Sequence, residues 1–417
     1  MPTPCVHFGL CGGCAAQDVP YPEQVAAKQA ALRELLLPHY DGELPVTPSP
    51  VVWHYRNKID PVFTPQWYET PRDEGFVRET VLGYKRRGKW FFPMQVDECL
   101  IGPEGTAPLF AAAREWAAGS GFQAFDTRRG GGFLKTLLVR DAKRSGERMV
   151  VLITASGDMD TAPFVEAALG AFGPCSVWRG TREGSADNAQ ADTLELLHGA
   201  PHITETLEIS ESPGRGTSDT PSEHLSGPAA PGPLRRLDFR ISPMSFFQTN
   251  PLGAERLYGL IRARVRRLAP GVLYDLYGGM GSIALACADL AREVRSVENV
   301  AAASEDGRVN CAVNGVDNVS FVTESVPDHL RRLREDGGLP PDALVVTDPP
   351  RCGMNPKTIR RLLELAPERL MYVSCNPRVL AAELALLAPA YRVVDAEAVD
   401  LFPHTPHVET IVELARV

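Results

Sequence analysis

Cys375 is the residue best suited to covalent chemistry, and the residues around it form a pattern. It lies in the segment Ser-Cys-Asn-Pro at 374–377. Asp348, in Asp-Pro-Pro-Arg at 348–351, precedes it by roughly the length of one helix, and the acid Glu409 follows near the end of the chain. A thiolate is a strong nucleophile, and a carboxylate can remove a proton from a substrate. The pattern predicts a cysteine nucleophile that faces a flat, ring-shaped substrate.

A glycine-rich turn upstream predicts a cofactor site. The apolar run 271–277 has no helical period, and Gly-Gly-Met-Gly-Ser at 278–282 leads from it into a helical stretch at 283–291. Glycines let a ligand approach the backbone, and free N–H groups at a helix start bind anions. The next apolar run, 294–297, ends in Glu298, ~20 residues past the turn, where open α/β sheets offer an acid to ribose hydroxyls. A nucleotide-like cofactor is implied.

Apolar runs alternate with helical stretches through the rest of the chain, which predicts an α/β fold. The runs lie at 319–322, 343–347, 370–373, 391–394 and 408–415. Such alternation indicates a mostly parallel sheet with helices on both faces. Chemistry in these sheets collects at the carboxyl ends of strands, and Asp348 and Cys375 both lie at such ends. The tandem prolines after Asp348 stop the strand and hold this carboxylate rigidly.

Three cysteines near the N-terminus form a separate pattern. Cys5, Cys11 and Cys14 lie within ten residues, with Gly-Gly between the last two, and Cys99 can supply a fourth ligand. Four thiolates suit either an iron–sulfur cluster or a structural zinc ion, and the spacing does not separate the two. The glycines favour a tight wrap that brings N–H groups toward inorganic sulfide.

The charge distribution favours an RNA partner despite a net charge of -9 over 417 residues. The positive charge is local, because residues 53–148 contain 16 Lys and Arg against 12 Asp and Glu. Within this stretch, one segment mixes cationic and aromatic residues: Lys85, Arg86, Arg87, Lys89, Trp90, Phe91 and Phe92. Such cations hold phosphates while aromatic rings stack on unpaired bases. The alternative is a solvated hairpin with a few core aromatics.

The composition also predicts the compartment. Nine cysteines, an odd number, and a start without a secretory hydrophobic region argue against a disulfide framework. No run approaches the ~18 apolar residues of a membrane helix. We therefore expect a cytoplasmic protein that has no membrane contact. We also expect it to act as a monomer.

Five motifs, in order, resemble those of the RNA (uracil-5)-methyltransferases that use S-adenosylmethionine. They are the segments 245–250 (Ser-Phe-Phe-Gln-Thr-Asn), 275–281, 348–351, 374–377 and 402–409. The resemblance covers nearly the whole chain. It implies a Rossmann-like class I methyltransferase domain and a central β-rich (α+β) domain that carries an iron–sulfur cluster.

The resemblance also implies roles for the site residues. A thiolate from Cys375 adds to carbon 6 of uracil, carbon 5 takes the methyl group, and Glu409 removes the proton from carbon 5. The implied cofactor contacts are Gln248, Tyr277, Ser282, Glu298 and Asp348. Ser282 stands where members of the family often have asparagine, so it offers the cofactor a shorter hydrogen-bonding group. A neighbouring positive charge, or a helix opened by Pro377, would favour the thiolate.

The resemblance is to the branch that bears a cluster and acts on large-subunit ribosomal RNA. It implies a [4Fe-4S] cluster on Cys5, Cys11, Cys14 and Cys99, and methylation of a single-stranded or loop uridine in 23S ribosomal RNA. A tRNA (uracil-5)-methyltransferase is an alternative, because the catalytic motifs do not identify the RNA. A second alternative is a noncatalytic RNA-binding protein that uses the cluster as a redox-sensitive clamp.

The expected domain organisation has four parts. Residues 1–16 form an iron–sulfur segment of the central domain, and 17–47 contain a helix that in the family packs on the catalytic domain. Residues 48–240 form the central RNA-binding domain, and 241–417 the methyltransferase domain. Within the central domain, 209–233 is rich in Ser, Gly and Pro with few aliphatic residues, which predicts a mobile excursion.

Overall fold

The computed structural model describes residues 4–68, 78–184, 189–211 and 234–417, without the side chains of Trp90 and Phe91. Those two predicted RNA contacts, and most of the predicted excursion at 209–233, therefore lie outside the described residues. The chain forms two compact units. The N-terminal unit contains Met1–Pro20, Val51–Glu205 and Arg240–Met244, and the C-terminal unit contains Tyr21–Pro50, Thr206–Phe239 and Ser245–Val417.

Helices and strands are numbered here in chain order. The helices are α1 (Tyr21–Leu36), α2 (Thr106–Ser120), α3 (Ala162–Phe172), α4 (Pro251–Leu268), α5 (Ser282–Cys287), α6 (Ala301–Val313), α7 (Val326–Glu335), α8 (Pro356–Leu365) and α9 (Pro377–Leu387). The strands are β1 (Val46–Thr47), β2 (Lys58–Ile59), β3 (Val62–Pro65), β4 (Thr80–Arg86), β5 (Lys89–Gln95), β6 (Leu134–Asp141), β7 (Arg148–Thr154), β8 (Ser176–Thr181), β9 (Thr193–His198), β10 (Ile203–Ile209), β11 (Arg235–Ile241), β12 (Val272–Leu276), β13 (Glu293–Glu298), β14 (Val319–Thr323), β15 (Ala343–Thr347), β16 (Arg369–Ser374), β17 (Tyr391–Val399) and β18 (Glu409–Arg416).

A sheet with the order β1-β17-β18-β16-β15-β12-β13-β14 forms the centre of the C-terminal unit. The strands from β12 to β16 pair in parallel, whereas β18 is antiparallel to β16 and β17. The apolar runs from 319 onward correspond to β14 to β18. The predicted α/β fold with a mostly parallel sheet is confirmed for this unit.

Burial in the central strands explains why the sequence reads as apolar runs. Every residue of β12 is buried, and only the first residue of β15 and of β16 is not. A parallel sheet covered on both faces buries both sets of alternating side chains, so its strands carry no polar face. Helix α1 adds Leu32 and Leu36 to the same core as Leu380 of α9. The predicted helix at 283–291 is shorter, because a 3-10 turn at Ala288–Leu290 replaces its second half.

The N-terminal unit is built on a second sheet, with the order β5-β4-β3-β6-β7-β8-β9 and β2 beside β6. Its neighbours are antiparallel except β7 and β8, which are parallel. Helices α2 and α3 contribute Phe110, Phe164 and Phe172 to its apolar core. Strands β10 and β11 form a separate two-stranded sheet. Within the described ranges, no helix combines the length and apolarity needed to cross a membrane.

Candidate active site and cysteine cavity

The turn between β12 and α5 fixes the orientation of an acid. Gly281 has a φ of +76°, and a Cβ at this position would lie 2.6 Å from the Phe321 ring, so only glycine fits. Glu298, at the end of β13, accepts hydrogen bonds from the N–H groups of Gly279 at 3.0 Å and Val300 at 2.8 Å. Because both carboxylate oxygens are held by backbone donors, Glu298 presents one defined orientation beside the turn.

Tyr277 precedes this turn in a strained backbone conformation. Its φ is +62°, a region that residues other than glycine seldom adopt. The ring packs against the core, and the hydroxyl is hydrogen-bonded to Thr358 Oγ1 of α8 at 3.0 Å. Strain of this kind persists only where the surrounding structure holds it, and it is concentrated at functional sites. The strained conformation therefore marks Tyr277, directly before the glycine turn, as a functional candidate.

Three carboxyl groups of the C-terminal unit come from three separate strands. Asp275 lies in β12, Asp348 follows β15, and Glu409 begins β18. Burial raises the pKa of Asp275 to about 7. Burial, followed by the charge of Asp275, raises the pKa of Asp348. Burial, followed by the charge of Asp348, raises the pKa of Glu409 well above its usual range. The acids therefore act on one another and retain protons more readily than ordinary carboxyl groups.

Asp275 is a functional candidate that the sequence analysis did not select. Its Oδ2 accepts hydrogen bonds from Ala284 N–H at 3.2 Å and Ser296 Oγ at 3.4 Å. Its buried Oδ1 has no hydrogen-bond partner among the residues that the structure describes. Since buried polar atoms are rarely left unpaired, this oxygen is a place where a ligand can donate. One signal was available, because Asp275 is the acid within the otherwise apolar run 271–277.

Cys375 is half-buried in the loop between β16 and α9. Burial, followed by the charges of Glu409 and Asp348, raises the pKa of the Cys375 thiol to about 11, although Arg351 lowers it. Pro377 does begin α9, and a cation does lie nearby, as expected. These two influences are nevertheless outweighed by burial and the acids, so the expected thiolate is not the resting form at neutral pH.

The loops that contain Asp348 and Cys375 are tied to each other. Asn376 Nδ2 donates to the Arg351 carbonyl oxygen at 3.0 Å. Arg351 Nη2 in turn lies 3.1 Å from Nδ1 of His407, two residues before Glu409. The structure thus links the three segments that the sequence pattern selects.

Helices α4 and α5 supply the remaining polar groups. Ser282 is the first residue of α5. Burial raises the pKa of Tyr258 in α4, and the neighbouring Ser282 lowers it. Tyr258 belongs to none of the predicted motifs. Gln248 is 8 % exposed and lies two residues before Asn250, whose side chain caps α4 by accepting from Gly253 N–H at 2.9 Å. The structure therefore places Ser282 at the start of α5 and Gln248 just before α4.

Four cysteines line one cavity of about 470 Å³ in the N-terminal unit: Cys5, Cys11, Cys14 and Cys99. The Cys5 N–H donates to Gln17 Oε1 at 2.8 Å, and the Gly13 N–H donates to Cys11 Sγ at 3.4 Å. Burial raises the pKa of Cys14 to about 12. In the part of the chain that the structure describes, no three His, Cys, Asp or Glu side chains are arranged closely enough to hold a metal ion.

The predicted RNA-binding segment forms the hairpin of β4 and β5. Lys85, Arg87 and Lys89 are exposed, and Arg86 is half-buried. Lys89 Nζ lies 5.4 Å from the centroid of the Phe92 ring. The hairpin therefore presents its cations to solvent.

The parallel strands, the glycine turn after β12 and the acids at the strand ends define a class I methyltransferase that uses S-adenosylmethionine. A family model described as tRNA (uracil-5-)-methyltransferase matches residues 233–417. An uncharacterized RNA methyltransferase of Caldanaerobacter subterraneus is 32% identical over 419 residues, which cover 98% of this chain and 84% of that protein. An uncharacterized RNA methyltransferase of Protochlamydia amoebophila is also 32% identical, over 421 residues that cover 98% of this chain and 89% of that protein.

A solved structure is similar over nearly the whole chain. It is the Pyrococcus abyssi tRNA (uracil-54, C5)-methyltransferase in complex with S-adenosyl-L-homocysteine, with a TM-score of 0.70 and 26% identity. The match covers 98% of this chain and 86% of that one. The chain belongs to the RNA (uracil-5)-methyltransferase family.

Proposed function

We propose that this RNA uracil-5 methyltransferase modifies a uridine of 23S ribosomal RNA through a covalent adduct with Cys375. The observation that carries the mechanism is the clustering of Cys375, Glu409 and Asp348, whose charges act on one another although they come from three segments. A nucleophile and a base on separate loops can address different atoms of one uracil ring.

In this mechanism the Cys375 sulfur adds to carbon 6, which makes carbon 5 nucleophilic. Bound S-adenosylmethionine supplies the methyl group that carbon 5 accepts. Glu409 then removes the proton from carbon 5, and the sulfur leaves carbon 6. Because the pKa of the free thiol is about 11, the sulfur adds to carbon 6 only once its proton has passed to solvent, and the sulfur that leaves carbon 6 at the end is again a thiolate. Glu409 takes this proton in its ionised form, and the raised pKa makes that carboxylate a stronger base than an ordinary one.

The residues around the glycine turn fit S-adenosylmethionine. The unpaired Oδ1 of Asp275 and the oriented carboxylate of Glu298 are both acceptors for a ligand with hydroxyl and ammonium donors. We propose that the contacts are made by five side chains: Gln248, Tyr277, Ser282, Glu298 and Asp348.

We also propose that Cys5, Cys11, Cys14 and Cys99 hold a [4Fe-4S] cluster. Their shared cavity supports this assignment, and so does Tyr84, which lines it. The Tyr84 hydroxyl is buried and has no hydrogen-bond partner within the described ranges, and sulfur would provide an acceptor. The catalytic steps need no electron, so the cluster is structural or positions RNA. A zinc ion on the same thiolates is the alternative.

The RNA is proposed to reach the site with one base extruded. Carbon 6 must meet the sulfur from one face, which a base stacked within a helix does not allow. Lys85, Arg86, Arg87 and Lys89 would hold the flanking phosphates. The domain at 48–240 would thus serve as the RNA-binding domain, while the monomeric state and cytoplasmic location stay predictions. A tRNA substrate is the second candidate, because the similar Pyrococcus abyssi enzyme acts on tRNA.

Mapping of 5-methyluridine in a deletion strain tests this proposal. We expect one 5-methyluridine to disappear from 23S ribosomal RNA and to return when the gene is restored, but not when the restored gene encodes Cys375→Ala. If 5-methyluridine disappears from tRNA alone, the protein is the alternative tRNA methyltransferase. Unchanged 5-methyluridine in both RNAs would support the noncatalytic alternative.

A further inference from the structure

Helix α1 contacts the loop 400–408, which connects β17 to β18 and ends directly before Glu409. Lys28 Nζ donates to Asp400 Oδ1 at 2.7 Å and to the Phe402 carbonyl oxygen at 3.1 Å. The side chains of Lys28 and Asp400 are 7 % and 0 % exposed, so the ion pair is buried. Lys28 belongs to none of the sequence motifs. The pair nevertheless joins α1 to the loop that leads to the proposed base.

Gln24 contacts the same loop from the same buried face of α1, one turn before Lys28. Its Oε1 accepts a hydrogen bond from the His404 N–H at 2.8 Å, and its Nε2 lies 3.1 Å from His404 Nδ1. An amide group can accept at its oxygen and donate at its nitrogen. Gln24 therefore holds the backbone and the ring of His404 at once.

The backbone of the loop needs such support. His404 has a φ of +65° and is 4 % exposed, and residues other than glycine keep such a conformation only where the surrounding structure holds it. Within the loop, Asp400 Oδ1 also accepts from the Phe402 N–H at 3.0 Å, and Thr405 Oγ1 donates to the Phe402 carbonyl oxygen at 2.8 Å. Lys28 thus binds the same two acceptors that the loop uses for its own turn.

The loop brings this support close to Glu409. Glu409 is the first residue of β18, and its partner in the neighbouring strand is Val399, the residue directly before Asp400. A buried ion pair is not what packing alone favours, because apolar residues of similar volume are often as stabilising. What the pair adds is direction, since hydrogen bonds require defined distances and angles. Lys28 therefore fixes the position of the chain beside the strand end that carries Glu409.

We propose that Lys28 and Gln24 are positioning residues for Glu409, because they hold the loop 400–408 where this carboxylate meets the proton on carbon 5 of the methylated uracil. The proposal rests on the proposed function for the role of Glu409. Removal of the carbon 5 proton releases the sulfur of Cys375 from carbon 6 as a thiolate. A displaced Glu409 therefore leaves methylated RNA attached to Cys375.

The covalent adduct is measured with RNA from the deletion strain and S-adenosylmethionine labelled in its methyl group. Lys28→Met should lower turnover about 10-fold to 100-fold, the effect of misplacing a reacting group by about 1 Å. It should also accumulate labelled RNA–protein adduct on denaturing electrophoresis, as Glu409→Gln does. Gln24→Leu should accumulate less adduct than Lys28→Met but more than the wild type. The dissociation constant for S-adenosylmethionine should not change in either variant.

Two further variants separate positioning from stability. Leu32→Ala removes a buried apolar side chain one turn further along α1, so it should lower the midpoint of thermal unfolding without accumulating adduct. Lys28→Met combined with Asp400→Leu leaves no unpaired buried charge and should be more stable than Lys28→Met alone. This double variant should still accumulate adduct, because the hydrogen bonds between α1 and Asp400 are absent.

Wild-type adduct levels in Lys28→Met, or equal accumulation in Leu32→Ala, would overturn the proposal. If Lys28→Met fails to fold, the double variant and Gln24→Leu decide, and wild-type adduct levels in both reject the positioning role. Accumulation in Glu409→Gln without accumulation in these variants would leave the proposed function standing and reject this inference alone. If Glu409→Gln itself accumulates no adduct, the proposed mechanism is wrong, and this inference is wrong with it.

Discussion

The two units each bury a set of reactive side chains, and the sets differ in composition. The site of the C-terminal unit mixes carboxyl groups with a thiol and with hydroxyl groups, and Arg351 lowers the pKa of its cysteine. The cavity of the N-terminal unit collects four thiols, with Arg56 among its lining residues. Groups of different types can exchange protons with one another, because burial and neighbouring charges give each group a different pKa. Four thiols in one cavity are instead stabilised most when, as thiolates, they share a bound metal cation.

This contrast predicts that substitution of Cys375 and substitution of a cysteine of the cavity have different consequences. Cys375→Ala should abolish methylation, a loss of at least about 10³-fold, because no other group supplies the covalent bond, while S-adenosylmethionine still binds. Glu409→Gln should allow methyl transfer but trap the RNA adduct, which denaturing electrophoresis detects as a shifted band. Cys352→Ala, which removes an exposed thiol of a neighbouring loop, is the control and should remain active. An active Cys375→Ala enzyme would refute the mechanism.

Substitution of a cysteine of the cavity should cause loss of the bound metal. Anaerobically purified protein should contain about four iron and four sulfide per chain. Cys99→Ala should lose most of this iron, whereas Cys175→Ala, a buried cysteine of the same unit outside the cavity, should retain it. Iron, sulfide and zinc are measured by elemental and colorimetric assays. Stoichiometric zinc without sulfide would show that the four cysteines hold zinc and not a cluster. If the protein contains neither iron nor zinc, the proposed metal site is wrong.

Substitution of the cations of the exposed hairpin should weaken RNA binding without changing cofactor binding. Replacing Lys85, Arg86, Arg87 and Lys89 with glutamine should weaken RNA binding and flatten its salt dependence by about 0.7 in the logarithmic slope for each lost phosphate contact. The affinity for S-adenosylmethionine should not change. A control variant loses four exposed arginines of the C-terminal unit instead: Arg292, Arg308, Arg331 and Arg360. Equal effects of the two variants would show that net charge, and not the hairpin, attracts RNA.

The smallest expected effect is a pH dependence of cofactor affinity. Asp275 is neutral below its pKa of about 7 and ionised above it. A cationic ligand favours the ionised form, so the affinity for S-adenosylmethionine should rise from pH 6 to pH 8, by at most about tenfold per pH unit. S-adenosylhomocysteine lacks the sulfonium charge and should show a smaller rise. Asp275→Asn should flatten both curves, and an unchanged slope in this variant would exclude Asp275 as the titrating group.

The sequence by itself determined the alternation of strands and helices from residue 271 onward, and it selected Cys375, Asp348 and Glu409 as candidates. The reason is local, since apolar runs mark buried strands, and chemistry in such sheets lies at strand ends. The glycine turn was predictable for the same reason, because Gly281 occupies a backbone conformation and a space that only glycine fits.

Only the tertiary structure decided the electrostatics of the site. The predicted thiolate of Cys375 depended on a helix start and a cation, both of which are present, but burial and two acids from other segments raise its pKa. Helices α4 and α5 are separated in sequence by strand β12, and they pack against each other only in the folded unit. Desolvation and through-space charge depend on what surrounds a group in three dimensions, and residue spacing along the chain does not encode them.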